Sequence, residues 1–220
     1  MRKFEFQNEE YYHIYNRGVD KRNIFVEEKD FIRFLTCIRE FNDTTYKNER
    51  EFNKRKNSSK LAKLTELSSV NFLPKLVQII CYCLNQNHYH LILKQLTDNG
   101  VKTFMHKLGT GYTNYFNLKY SRSGSLFQGS YKAIHINSND YLLWLSGYIN
   151  GNPEIHKLAE ANNYLWSSYQ DYIGLRSGTL CDKKEVLNQF KNKEDYKEFV
   201  QMIIKDSSES KEEIRKYILE

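Results

Sequence analysis

Apolar and polar positions alternate along the chain in two periods that predict strands and helices in a definite order. Spacings of three and four between apolar residues indicate helices, whereas short β-branched and aromatic runs between turn residues indicate strands. The predicted strands are residues 10–16, 77–84, 88–94 and 131–136, and the predicted helices are residues 27–41, 103–120 and 141–150. The order is strand, helix, strand, strand, helix, strand, then a third helix.

Two strand-helix-strand units in this order favour one architecture. They predict an α+β fold with a ferredoxin-like split β-α-β core, in which a four-stranded antiparallel sheet carries two helices on one face. The short polar link at residues 85–87 makes the second and third strands a hairpin. Capping residues at 137–140 begin the third helix, and Pro153 is expected to end its pattern. The second face of the sheet is then open for function.

Two segments lie outside this core. Residues 47–63 (KNEREFNKRKNSSKLAK) are polar and lysine-rich, which favours a surface insertion, with direct DNA contact as the alternative. After Trp166 the chain becomes polar and helical, with an apolar stripe from Val186 to Ile204. Packing of this tail against the main domain is the simpler expectation, and contact with a partner is the alternative.

Composition narrows the class of protein. The 220 residues are enough for one well-buried main domain. No apolar run approaches the roughly 20 residues that span a bilayer, and the first residues lack the apolar core of a signal peptide, so a cytoplasmic location is expected. Four cysteines without C-x-x-C spacing indicate buried thiols. A net charge of +6 permits a polyanionic partner without requiring one.

Four side chains suggest chemistry on a phosphodiester. In a strand His88 and His90 project to the same side, roughly 7 Å apart, which makes them a plausible half of a metal site. One helical turn separates Tyr148 from Asn152, so a phenol and an amide can face one cavity. The simpler alternatives are an ordinary polar strand and a core aromatic residue. Two imidazoles and an amide oxygen suit Mg²⁺ or Mn²⁺, whereas a closed zinc site needs four ligands.

Motifs in a fixed order connect these residues to a known family. The motifs are residues 12–18 (YHIYNRG), 87–91 (NHYHL), 124–132 (GSLFQGSYK) and 148–153 (YINGNP). In this order they resemble the HUH single-tyrosine transposases, and within that class the REP-associated tyrosine transposases. The similarity extends through residues 166–169 (WSSY). It departs from the family pattern at Tyr89, where an aliphatic residue or Phe is usual, and at Ser130, where an arginine is common.

The resemblance implies a metal-dependent endonuclease and strand transferase that cuts single-stranded DNA near hairpins. His88 and His90 would bind Mg²⁺ or Mn²⁺ with Asn152 as third ligand, and Tyr148 would form a 5′-phosphotyrosine intermediate. Residues 1–175 would form the transposase-like domain and residues 176–220 a helical tail. Whether Tyr148 acts in its own subunit or across a homodimer stays open.

Basic residues near these motifs are candidates for DNA contact. Phosphate binding is the natural role for Arg17 and Lys132, which lie inside matching motifs, and for Arg122 and Lys107, which lie outside the strongest ones. Two other functions remain. One is a non-catalytic hairpin or single-strand binding module. The other is a hydrolytic phosphodiesterase in which a metal-bound water attacks and Tyr148 only positions the substrate.

Overall fold

A computed structural model of the protein describes residues 5–44 and 74–209. The strands are β1 (Tyr11–Arg17), β2 (Val77–Asn85), β3 (His88–Gln95) and β4 (Lys132–Ile136), and they form an antiparallel sheet in the order β2-β3-β1-β4. The described helices are α1 (Glu28–Glu40), α2 (Gly100–Lys119), α3 (Asn139–Ile155), α4 (Tyr169–Ile173), α5 (Lys184–Leu187) and α6 (Lys193–Glu209). The predicted α+β, ferredoxin-like fold is confirmed. The predicted insertion at residues 47–63 lies outside the described residues.

Helices α1 and α2 cover the first face of the sheet. Side chains alternate between faces along a strand, so Tyr12 and Ile14 of β1 point the same way as Leu91 of β3. They join Phe34 of α1 and Leu108 of α2 in one core, and all five are almost wholly buried. Burying each such side chain contributes about 1.5–3 kcal/mol. The helical spacing of the apolar residues therefore fixes which side of each helix meets the sheet.

Asp30 is a buried acid that joins α1 to α2. It closes a capping box at the start of α1, where its carboxylate accepts hydrogen bonds from the backbone N–H groups of Val26 and Glu27 at 2.9 and 3.1 Å. It also pairs with Lys119 and accepts from the Tyr120 hydroxyl at 2.7 Å. Burial opposes ionisation, but these donors hold the pKa of Asp30 below its ordinary value. The carboxylate thus ties the two helices together as an anion.

The second face of the sheet is covered over β2 and β3, contrary to the open face that the sequence suggests. Leu145 and Ile149 of α3 pack in one core with Ile80 of β2 and Ile92 of β3. Helix α6 lies behind α3 and adds Ile203 to the same core. The apolar stripe of the tail therefore contributes to the covering of this face, since Val186 and Ile204 belong to the same core.

Helix α3 is longer than its sequence pattern suggests. It begins after Ser138, whose hydroxyl accepts from the N–H of Tyr141 at 3.2 Å, and it runs through Pro153 to Ile155. Proline has no N–H and removes one helical hydrogen bond. The next turn is still closed, because the N–H of His156 donates to the carbonyl of Asn152 at 3.0 Å. The expected end of the helix before Pro153 is therefore wrong.

Two glycines of α3 allow α6 to approach closely. A Cβ atom at Gly147 would lie 2.5 Å from Cδ1 of Ile203, and one at Gly151 would lie 2.6 Å from Cγ1 of Ile204. Both glycines stand on the side of α3 that faces α6. Because these two positions have no side chains, the axes of α3 and α6 can lie close together.

Two expectations from composition can be compared with the structure. All four cysteines are buried and free, as the missing C-x-x-C spacing indicates. In the part of the chain that the structure describes, no helix has both the length and the apolar character needed to cross a bilayer.

Replacing Asp30 by Asn should lower the free energy of unfolding by about 1–3 kcal/mol near pH 7, because the amide cannot accept all the hydrogen bonds of the carboxylate. The folded-state pKa of Asp30 lies below its ordinary value of 3.8. The carboxylate therefore stabilises the fold above that value, and this contribution is lost as the pH falls through the lower, folded pKa. Urea unfolding of both proteins from about pH 7 to about pH 3 should show the difference shrinking in acid.

The control is Asp20→Asn, because the Asp20 side chain is 84% exposed. This change should alter stability by no more than about 0.5 kcal/mol. A difference between wild type and Asp30→Asn that stays constant down to the acid end of the titration would contradict the role given to the carboxylate.

Candidate active site

The two histidines of the H-x-H motif lie side by side on the second face of the sheet. Strand alternation places His88 and His90 on that face, with ring centroids 5.1 Å apart and ring planes at 90°. His90 is buried in the middle of β3, whereas His88 is half-buried at its start. One imidazole of the pair is therefore buried, and the other is partly exposed at the start of the strand.

One ring nitrogen of His90 has no partner among residues 5–44 and 74–209. Its Nδ1 lies 3.0 Å from Nε2 of the buried His13 on β1. Its Nε2 is buried and has no hydrogen-bond partner in the described part of the chain. Burial, and then the imidazoles around it, hold the pKa of His90 well below its ordinary value. His90 is therefore neutral at physiological pH, as a metal-binding imidazole must be.

The contacts of His88 define which of its nitrogens carries the proton. Its Nδ1 lies 2.5 Å from Oδ1 of Asn87. An amide oxygen only accepts hydrogen bonds, so Nδ1 carries the hydrogen and Nε2 keeps a lone pair. That Nε2 lies 2.9 Å from Nδ2 of Asn85. The lone pair of His88 therefore points at the side chain of Asn85, which is the last residue of β2.

Asn152 reaches the same place from α3. It is completely buried, and its Oδ1 accepts a hydrogen bond from Nδ2 of Asn85 at 2.6 Å. Its own Nδ2 is buried without a partner among the described residues. The amide nitrogen of Asn85 therefore lies between His88 Nε2 and Asn152 Oδ1, and both of these atoms direct a lone pair at it.

The set of possible ligand atoms leaves room around a divalent cation. Two imidazoles and an amide oxygen would leave positions for phosphate oxygens and water, which Mg²⁺ and Mn²⁺ usually keep. Across residues 5–44 and 74–209, no three His, Cys, Asp or Glu side chains are grouped to hold a metal, so a centre here needs amide ligands. Burial raises the pKa of the neighbouring Cys83 thiol, which stays protonated and is a poor ligand.

Tyr148 lies in the interior, beside the polar cluster. Its side chain is only 1% exposed, and its ring stacks on Trp144 with centroids 5.4 Å apart. Its hydroxyl lies 3.3 Å from Nε2 of His156. His156 in turn is close enough to His90 to contribute to the lowering of its pKa. The phenol is therefore connected to the histidine pair through His156, but solvent does not reach it in this conformation.

Asn150 anchors the helix that carries Tyr148 and Asn152. It is completely buried, and its Nδ2 donates to the Tyr196 hydroxyl at 2.8 Å. Its Oδ1 accepts from the Ser168 hydroxyl at 2.7 Å. These bonds connect α3 to α6 and to the segment before α4. The position of the candidate site residues on α3 thus depends on the C-terminal part of the chain.

Two of the four basic candidates lie on the site face. Arg17 is the register partner of His88, and Lys132 is the partner of Tyr15, whose ring stacks on His90 at 5.9 Å. The Nε of Arg17 is buried and has no hydrogen-bond partner in the described part of the chain. Lys132 is exposed. Two positive charges therefore border the histidine pair.

The other two basic candidates lie toward the helices of the first face. Arg122 donates to Oδ1 of Asn117 at 3.2 Å and stands over the Phe116 ring at 5.6 Å. The Nζ of Lys107 donates to the carbonyl of Asp43 at 3.0 Å. The structure does not bring either side chain to the histidine pair.

Three residues of the site carry no individual role in the sequence interpretation. His13 lies in the first motif, and strand alternation could have placed it on the face of Tyr15. His156 stands one turn after Asn152, beyond the proline that was expected to end the helix. The sequence predicts Asn85 in a three-residue link, whereas the structure has it in β2 opposite His88, with a two-residue turn. A two-residue turn in the prediction would have placed Asn85 opposite His88.

A family model and a solved structure are similar to this chain. Residues 7–152 match the model of the family described as "Transposase IS200 like". A solved structure of a REP-associated tyrosine transposase bound to a REP hairpin has 11% sequence identity and a TM-score of 0.49, with 83% of this chain and 93% of that chain covered. No curated protein matches the sequence significantly.

Replacing Asn150 by Ala should lower the free energy of unfolding by about 2–4 kcal/mol, because the hydroxyls of Ser168 and Tyr196 lose a buried partner. Tyr196→Phe is the matched control, since it removes one bond of the same group and should cost less than about 1.5 kcal/mol. Chemical denaturation of the three proteins measures both differences. An Asn150→Ala protein as stable as the control would contradict the anchoring of α3.

Proposed function

This chain belongs to the family of IS200-like transposases, and on that premise we propose that it cuts and rejoins single-stranded DNA through Tyr148, at a divalent metal held by His88, His90 and Asn152. The product of the first step is a 5′-phosphotyrosyl link and a free 3′-hydroxyl. The substrate is a single strand that carries a hairpin. Both of these details rest on the sequence resemblance to REP-associated tyrosine transposases.

One observation carries the proposal. Possible ligand atoms from separate elements converge on one point, since His88 Nε2 of β3 and Asn152 Oδ1 of α3 both lie within 3 Å of the Asn85 amide nitrogen. The unpartnered Nε2 of His90 belongs to the adjacent ring. Lone pairs that converge in this way on imidazole and amide groups are what a cation requires. The helix that brings Asn152 also brings Tyr148.

A bound Mg²⁺ or Mn²⁺ would polarise the scissile phosphate and stabilise negative charge on its oxygens. The side chains supply the other requirements. His90 is held in place by His13, and His88 by Asn87. A hydrogen bond to the other ring nitrogen of a metal-binding histidine orients the ring and selects its tautomer. For His90 to offer Nε2, its Nδ1 must carry the hydrogen and donate it to His13.

The covalent step needs one bond to form and one to break. The Tyr148 oxygen bonds to phosphorus while the bond from phosphorus to the 3′ oxygen breaks, and the reverse reaction joins a 3′-hydroxyl to the stored phosphate. His156 Nε2, 3.3 Å from the phenol oxygen, is in position to take the phenolic proton. The leaving 3′ oxygen acquires a proton in the same step. The phosphotyrosine conserves the bond energy, so rejoining needs no nucleotide cofactor.

Arg17 and Lys132 provide the charge that DNA needs beside this centre. Both stand on the site face, and Arg17 is directly opposite His88 in the β1–β3 register. A guanidinium matches the planar geometry of phosphate oxygens. Contacts of this kind fix the position of a strand without selecting its sequence. They place the sugar-phosphate backbone next to the histidine pair.

The burial of Tyr148 favours a second candidate function. A phenol that is 1% exposed cannot reach a phosphodiester until the covering side chains move, with Trp144 foremost because it stacks on the ring. A protein that never opens in this way would bind hairpin or single-stranded DNA without cutting it. The covalent adduct distinguishes the two functions, because only the first forms one.

Tyr148→Phe should abolish covalent protein-DNA product and leave hairpin binding nearly unchanged, because the variant loses only the nucleophilic oxygen. The measurement is a denaturing gel of protein incubated with Mn²⁺ and single-stranded hairpin DNA, together with a binding titration. Tyr141→Phe, two turns earlier on the same helix, is the control and should form the adduct normally. Equal adduct from Tyr148→Phe and wild type would place the nucleophile elsewhere.

His88→Ala should stop cleavage at metal concentrations that saturate the wild type, since loss of one imidazole lowers metal affinity by about 100-fold or more. EDTA should have the same effect on the wild type, and added Mn²⁺ should reverse it. His106→Ala, on the exposed side of α2, is the control and should cut normally. Cleavage that survives both EDTA and His88→Ala would exclude the metal centre.

A further inference from the structure

Asn85 occupies the point on which the proposed metal ligands converge. It is the last residue of β2, it is 1% exposed, and it pairs with His88 across the hairpin. Residues opposite each other in an antiparallel pair project to the same face. The two-residue turn therefore brings an amide side chain into the pocket that also receives His88 and Asn152.

The hydrogen bonds of Asn85 show which atoms face each other. Its Nδ2 donates to Asn152 Oδ1 at 2.6 Å and to His88 Nε2 at 2.9 Å. His88 Nε2 must be the acceptor, because Asn87 already takes the hydrogen on Nδ1. One NH₂ group thus satisfies two ligand lone pairs. This bonding holds both ligands in place while no cation is bound.

A cation cannot share this position with the hydrogens of an NH₂ group. A half-turn about the Cβ–Cγ bond exchanges the amide oxygen and nitrogen, which are of nearly equal size, and needs no movement of the backbone. The oxygen then takes the place of the nitrogen beside His88 Nε2 and Asn152 Oδ1, so that three ligand atoms can face one cation. The nitrogen then faces Cys83, whose sulfur lies 3.6 Å from the amide oxygen in the present orientation and is a weak acceptor.

From this arrangement we propose that Asn85 is a fourth protein ligand of the metal, binding through its amide oxygen, and that in the metal-free protein the same amide holds His88 and Asn152 in position. The ligand set is then two imidazoles and two amide oxygens, with the remaining positions left for phosphate and water. This assignment rests on the proposed function, because it needs a metal at the histidine pair. Hard divalent cations accept amide oxygens readily.

The test is a Mn²⁺ titration followed by electron paramagnetic resonance of the free ion, with no DNA and no turnover. Asn85→Leu should weaken Mn²⁺ binding by about 10-fold or more, since a ligand is lost. Asn85→Asp should bind Mn²⁺ more tightly than the wild type, because a carboxylate is a stronger ligand for a hard cation than an amide. A new negative charge beside the site would also attract Mn²⁺, so the gain supports the ligand assignment together with the loss in Asn85→Leu.

Asn16→Leu is the matched control. Asn16 is a buried asparagine on the adjacent strand β1, but it projects to the opposite face and bonds to the carbonyl of Gly129 at 3.2 Å. Its replacement should leave Mn²⁺ affinity unchanged. Thermal unfolding of each variant without metal identifies any protein that has not folded, and Asn85→Ala takes the place of Asn85→Leu if that variant fails to fold.

The outcomes separate this inference from the proposed function. If His88→Ala loses Mn²⁺ binding while Asn85→Leu binds like the wild type, Asn85 is not a ligand and the metal centre stands. If Asn85→Asp binds more weakly than the wild type, the NH₂ hydrogens are needed and the amide oxygen is not a ligand. If the wild type binds Mn²⁺ no better than His88→Ala, both the metal centre and the ligand assignment are wrong.

Discussion

The packing of α3 against the second face of the sheet is the contact on which the candidate site depends. His88 and His90 come from β3, and no element near them in the sequence supplies the phenol or the second amide. Helix α3 brings both, because its apolar side packs on β2 and β3 while Asn150 bonds to Tyr196 and Ser168. The C-terminal helix α6 reinforces this packing at the two glycines of α3. Helix α6 therefore helps to hold the site residues of α3 in position.

The polar cluster between α3 and the sheet consists of groups that can be buried uncharged. Neutral imidazoles and amides lose far less on leaving water than carboxylates do, and they still offer lone pairs. Three polar atoms of the cluster, His13 Nδ1, His90 Nε2 and Asn152 Nδ2, have no partner in the described part of the chain. Each unsatisfied buried group costs about 1–3 kcal/mol. Such costs are typical of sites that are built for a ligand rather than for stability.

The basic side chains and the proposed nucleophile lie at different depths. Lys132 is exposed and Arg17 is half-buried, so a polyanion can meet them on the surface of the site face. Tyr148 is covered by Trp144 and lies beside His156. Under the proposed function, strand binding and exposure of the phenol would be separate events, because Trp144 would have to move before a phosphodiester could reach Tyr148.

Local periodicity was sufficient to predict much of this protein, and its limits have a physical cause. The alternation of side chains along a strand placed His88 and His90 on one face. The spacing of apolar residues located α1 and α2, and one helical turn related Tyr148 to Asn152. Each of these features depends only on backbone geometry over a few residues.

Tertiary structure decided the rest. The covering of the second face, the continuation of α3 through Pro153, the position of Asn85 opposite His88 and the distance of Lys107 and Arg122 from the histidines all depend on contacts between elements far apart in the chain. Such contacts have no local period, because they are selected by the burial of apolar surface and the pairing of buried polar groups in the folded protein as a whole.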